Sequence, residues 1–163
     1  MCYIPVPPCT CSDCPPSQRL STRAHHFSDC PVAAVIRGII QQELLRAFPD
    51  VRPVLLRRHI WIMQRPARSI HVQIWRVICL AALRGMDAGR RCMWSLHKRQ
   101  PQLPLDVIRT IAEQAARCHF AAALNDFASL NRLQPSARAA LAVGPAVFFH
   151  QDALRPGNIA VQL

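Results

Sequence analysis

Fourteen prolines against five glycines constrain this 163-residue chain more than any other feature. Proline lacks the N–H that a sheet ladder or a helix interior needs, whereas glycine supplies the tight turns of hairpin-rich sheets. A chain so supplied favours helices interrupted by prolines over a regular sheet. Hydrophobic residues make up 51% and mean hydropathy is +0.10, which speaks against wholesale disorder. The length allows one domain of ordinary size. The expected class is mainly α, a small helical domain with an irregular N-terminal region. The longest apolar run, Val77 to Leu83, is far below the roughly 18 residues of a membrane span, so no membrane partner is expected. The opening MCYIPVPPCTC has neither a basic region nor a continuous apolar one, so no secretory signal is expected and the expected compartment is cytoplasmic or nuclear.

The formal charge of +11 is unevenly placed. Residues 51–100 hold 11 basic groups and 1 acidic group, against 4 and 4 in 1–50 and 5 and 4 in 101–163. In the middle segment Arg52, Arg57, Arg58, Arg65, Arg68, Arg76, Arg84, Arg90, Arg91 and Arg99 interleave with Trp61, Trp75 and Trp94. Guanidinium groups neutralise phosphates and indoles stack on unpaired bases, which makes nucleic acid an alternative partner. No nucleic-acid-binding module accompanies the pattern, and a solvated basic face or an imperfect gene model explains it as well.

Five of the eight cysteines fall in residues 1–30, read as an irregular Cys/Pro-rich tail. Ser28 or Asp29 is placed to cap a helix opened by Pro31, and Val32, Val35, Ile36, Ile39, Ile40, Leu44 and Phe48 form one apolar stripe, giving an amphipathic helix within 31–50. Ile70 to Ile74 alternates like a strand while Ile74, Val77, Ile78 and Ala81 fit a helix, leaving this part of 51–100 open. Gly85 and Gly89 mark a helix end and a loop.

Cys11-Ser12-Asp13-Cys14 is a C-x-x-C knuckle followed by His26 and Cys30. Cys11, Cys14, His26 and Cys30 can enclose zinc tetrahedrally, and the spacing resembles a zinc finger of the Cys-Cys-His-Cys kind. The intervening loop offers only Leu20 as a core residue, and the opposing reading is a set of reduced thiols in a tail with no cofactor. Cys79, Cys92 and Cys118 read as small buried hydrophobes or incidental thiols. No nucleophile motif, metalloprotease motif or phosphate loop occurs, and Asp106 with Glu113 reads as a solvated helix face, so no catalytic residues and no enzyme are expected.

The strongest periodicity lies in 101–150. Pro104 and Asp106 suit a first helical turn, and Val107, Ile108, Ile111 and Ala115 define its apolar face. A second helix is expected over about 119–132 on Phe120, Ala123, Leu124 and Phe127, and a third opens at Pro135, with Val147-Phe148-Phe149 docking as an extended segment. Leu103, Pro104, Asp106, Val107, Ile108 and Ile111, with Leu130-Asn131-Arg132 further on, resemble the F-box, a three-helix module, in the manner of fungal F-box proteins; the likeness covers about residues 103–149. It departs where Asn125-Asp126 interrupts the second helix and where alanine replaces larger residues. The resemblance implies a protein-binding role, docking on the Skp-type adaptor of a cullin ubiquitin ligase through Leu103, Pro104, Val107, Ile108, Ile111 and Leu124 and presenting an unknown substrate protein. No substrate-binding repeat follows in 151–163, a C-terminal tail, so a truncated gene product is a further reading. Residues 103–149 are expected to be the compact part and 1–28 the mobile one.

Overall fold

A computed structural model describes residues 9, 14, 25–50, 52–68 and 70–129. Among these residues the architecture is helical and contains no strand: a π-helical turn at His25–Asp29 precedes α1 (Pro31–Ala47), α2 (Arg57–Trp61), α3 (Val72–Arg99) and α4 (Leu105–Ser129). None of these helices is long and apolar enough to cross a membrane.

The α1 helix starts with Pro31 in its first turn, where the missing N–H is harmless. Its N-cap is Cys30, held in an extended conformation, rather than Ser28 or Asp29, which are wound into the π turn. Val32, Ile36, Ile40 and Leu44 recur every four residues and are fully buried, as the apolar stripe implied. After α1 the chain is tied back by Gln41, whose Nε2 donates to the Pro53 carbonyl at 2.8 Å and whose Oε1 accepts the Leu55 N–H.

The short α2 is fixed at both faces. His59 Nδ1 accepts the Leu56 N–H at 3.0 Å, and the His59 carbonyl accepts the indole N–H of fully buried Trp75 at 3.1 Å. Burial, aided by the Arg58 charge, holds the His59 imidazole below its usual range, so it is neutral in the fold. Above the unfolded value of about 6.5 both states are neutral; as pH falls through it, the unfolded chain takes up the proton first and stability is lost. Denaturant unfolding at pH 7.5 and 5.5 is therefore expected to show lower stability at pH 5.5, with a shallower fall in His59→Gln. Equal slopes in the two proteins would contradict this role for His59.

The strand alternative at 70–74 is not realised: His71 caps α3, its Nδ1 accepting the Gln73 N–H at 3.3 Å. Nor is Gly85 to Gly89 a loop. Both glycines lie inside the 28 residues of α3, a helix about 42 Å long at 1.5 Å per residue. A Cβ on Gly85 would lie 2.8 Å from the Ala116 carbonyl oxygen, and one on Gly89 would lie 2.6 Å from Val32 Cγ1 and 2.8 Å from the Ala112 carbonyl oxygen. The glycines thus serve close helix approach rather than chain reversal, with fully buried Ala112 and Ala116 opposite.

That seam also explains α4. The chain turns over 100–104 and returns antiparallel to α3, so Gly85 meets Ala116 and Phe120 while Gly89 meets Ala112 and Ala116. Helix continues unbroken through Arg117–His119, where two separate helices were expected, because Ala116 and Phe120 are both held against α3 and neither proline nor glycine intervenes. The buried stripe is Ile108, Ala112, Ala116, Phe120 and Leu124; of the expected face Val107, Ile108, Ile111 and Ala115 only Ile108 is buried, because Ala112, Ala116 and Phe120 are the residues that meet Gly85 and Gly89. Leu130 onward, including the expected third helix and Val147-Phe148-Phe149, lies outside the described residues. The α1 helix packs on both α3 and α4 and completes the core.

Candidate metal centre

Residues Cys9, Cys14, His25 and Cys30 converge at the N-terminal end of α1. All four are buried, and their ligand atoms lie within 4.8 Å of one another. The Cys9 sulfur is 3.3 Å from that of Cys14 and 3.9 Å from that of Cys30, while Cys14 Sγ is 3.4 Å from His25 Nε2. A tetrahedral ion with bonds of about 2.3 Å to sulfur and 2.0 Å to nitrogen needs ligand separations of about 3.5 to 3.8 Å. The cluster can hold a metal ion with small adjustments.

Local structure explains the convergence. The π turn is closed by the Cys30 N–H donating to the His25 carbonyl at 3.0 Å, which brings these two ligands together. Cys30 then stands at the N-cap of α1, where the helix dipole favours a thiolate. Its Cys9 contact, reinforced by the Arg90 charge, lowers the Cys30 thiol below its usual range against the opposing effect of burial. Burial, reinforced by the Arg90 charge, lowers the His25 imidazole and favours the neutral form that a metal requires.

Two of the four ligands expected from the sequence, Cys14 and Cys30, are in the cluster. Cys11 lies outside the described residues, and among those described Cys9 joins Cys14 in the cluster across a four-residue spacer. His26 points elsewhere: its Nε2 is 3.2 Å from Asp87 Oδ1 on α3, and Asp87 also accepts from Arg91 at 2.7 Å. The expected tail therefore contributes buried residues to the core. Val32, Ile36 and their neighbours supply the apolar support that the knuckle's own loop lacks.

Of the expected docking residues, Ile108 and Leu124 are core, Leu103 is half-buried, and Pro104, Val107 and Ile111 are exposed. In the Arg-rich segment Trp75 is buried and unavailable for stacking, while Trp61 and Trp94 are partly exposed. Arg84 and Arg91 pair with Asp126 and Asp87, and Arg90 is buried. Cys79 is buried, which pushes its thiol up to about 12 and leaves it inert, with its sulfur 3.5 Å from the His59 carbonyl.

What fold and site define is a helical domain with a buried Cys3His cluster at one helix end. No protein-family model matches the chain, and no curated protein or solved structure is similar to it.

Proposed function

We propose that this protein is a zinc-organised helical module that acts by binding a macromolecular partner rather than by catalysis. The convergence of Cys9, Cys14, His25 and Cys30 carries the reading. Three thiolates and an imidazole suit zinc and disfavour hard cations such as magnesium or calcium. Four protein ligands in a buried cluster complete a tetrahedron, leaving no position for substrate, which is the arrangement of structural rather than catalytic zinc. The ion would join the segment holding Cys9 and Cys14 to the π turn and α1, making metal binding part of folding. Full-length protein purified without chelators is expected to carry about one equivalent of zinc, and chelation is expected to lower its unfolding temperature. A metal-free protein that zinc leaves unchanged would refute the reading.

A specific observation favours a partner at the start of α4. Val107 and Ile111, 39% and 41% exposed, form an apolar pair one helical turn apart, close in sequence to exposed Pro104. These are residues through which the F-box resemblance implies docking on a Skp-type adaptor; Ile108 and Leu124 would act behind them as core. Val107→Asp with Ile111→Asp is expected to abolish retention by the adaptor without changing helical circular dichroism, since both positions are exposed. Failure of the wild-type protein to associate at micromolar concentration would remove this partner.

A further inference from the structure

We infer that the outward face of α2 is a contact for an anionic membrane surface: Val54, Trp61 and Ile62 enter the apolar edge of a lipid leaflet while Arg52, Arg57, Arg58 and Arg68 bind its acidic headgroups. This goes beyond the reading above and does not depend on a metal.

Within α2, His59 and Ile60 are buried, and the His59 carbonyl holds the helix to Trp75 at 3.1 Å. At about 100° per residue, Arg57, Arg58, Trp61 and the C-cap Ile62 share the opposite side, and all four are exposed. Val54 and Ile62, each 65% exposed, are the most exposed large hydrophobic residues among those described. Trp61 is 39% exposed, with its ring 5.8 Å from that of Phe27. Directly after Ile62 the chain turns through Met63 at φ 56°, which carries Met63 to the edge of the core and leaves Ile62 outside.

Charge determines what this face can meet. From Val51 to Met86 the chain has seven arginines and no acidic residue. Arg46, Arg84, Arg91 and Arg109 each pair with a carboxylate, whereas among the described residues Arg52, Arg57, Arg58 and Arg68 do not. The matching surface must be anionic and apolar at once. A leaflet containing acidic lipids is both, and its fluidity lets it fit an outward helix face without a matching groove. Single-stranded nucleic acid supplies charge and a stacking partner for Trp61, but gives Val54 and Ile62 nothing apolar to enter. None of the described helices is long and apolar enough to cross a membrane, so the contact lies at the interface.

The test is co-sedimentation of the full-length protein with vesicles of phosphatidylcholine alone or with about 30% phosphatidylserine added. Wild type is expected to bind the mixed vesicles, less tightly as salt rises, and to stay in solution with the neutral ones. Arg57→Gln with Arg58→Gln is expected to weaken binding by about 25-fold, at about fivefold for each basic group. Val54→Ser with Ile62→Ser is expected to weaken it by about 10-fold or more, through lost apolar burial. All four positions are exposed, so helical circular dichroism is expected to match wild type. A blue shift of tryptophan emission on binding, lost in Trp61→Phe, is expected to place the contact at α2. Wild-type protein that ignores the mixed vesicles would overturn the inference while leaving the zinc reading intact. Binding that the Val54 and Ile62 pair leaves unchanged would also overturn it. So would tighter retention of a single-stranded RNA oligonucleotide with the same arginine dependence, which would assign the face to nucleic acid.

Discussion

Gly89→Val is expected to destabilise the protein by about 3 kcal/mol or more, although replacing a helical glycine ordinarily stabilises a helix by up to about 1 kcal/mol. The first atom of any side chain at 89 would lie 2.6 Å from Val32 Cγ1, 2.7 Å from Ala116 Cβ and 2.8 Å from the Ala112 carbonyl oxygen. Val32 can shift a methyl, but the carbonyl belongs to the α4 backbone, so relief requires α3 and α4 to separate. That separation would loosen Ile108, Ala112, Ala116 and Phe120 together, all buried along the same seam. Gly38 on α1 offers the opposite case: nothing lies within 4 Å of its added Cβ and the position is exposed. Gly38→Ala is expected to stabilise by about 0.5 to 1 kcal/mol. Denaturant unfolding of both variants checks the sign reversal; a Gly89→Val protein as stable as wild type would mean that the helices do not approach this closely.

Loss of Cys30 is the second large effect. A structural Cys/His zinc site contributes about 10 to 16 kcal/mol of binding free energy, so an even share for one of four ligands is about 2.5 to 4 kcal/mol. Cys30 also joins three parts of the molecule, as the N-cap of α1, the end of the π turn through its N–H bond to His25, and the contact of Cys9 at 3.9 Å. Serine keeps the shape and the capping ability but binds zinc poorly at neutral pH. Cys30→Ser is therefore expected to lose tight zinc binding and to expose the Cys9 and Cys14 thiols to alkylation. Cys11→Ser is expected to leave zinc binding unchanged, because Cys9, Cys14, His25 and Cys30 together supply four ligands. The reverse pattern would restore the C-x-x-C knuckle as the ligand set.

The helical class and the α1 stripe were legible because burial there follows a simple four-residue recurrence, Val32 to Leu44. The centre of α3 was not. Glycine at 85 and 89 looks the same in a sequence whether it ends a helix or admits another, and only the facing alanines of α4 distinguish the two uses. For α4, apolar bulk pointed to Val107, Ile108 and Ile111, whereas the seam against the glycines is made by Ala112, Ala116 and Phe120, which keeps Ile108 inside and turns Val107 and Ile111 outward. The residues of the Cys/His cluster were half legible. His25 and His26 are adjacent and chemically identical; the π turn alone sends one to the sulfurs and the other to Asp87. Cys9 went unrecognised because the C-x-x-C spacing at Cys11 and Cys14 matches known knuckles, whereas a four-residue spacer carries no comparable signal.

X-ray absorption at the zinc edge of the full-length, zinc-loaded protein tests the central claim most directly, because it counts ligand types around the ion itself. The cluster predicts a first shell of three sulfurs at about 2.3 Å and one imidazole nitrogen at about 2.0 Å. A shell dominated by oxygen, or one with two sulfurs and two nitrogens, would contradict the assignment of Cys9, Cys14, His25 and Cys30 as a zinc centre.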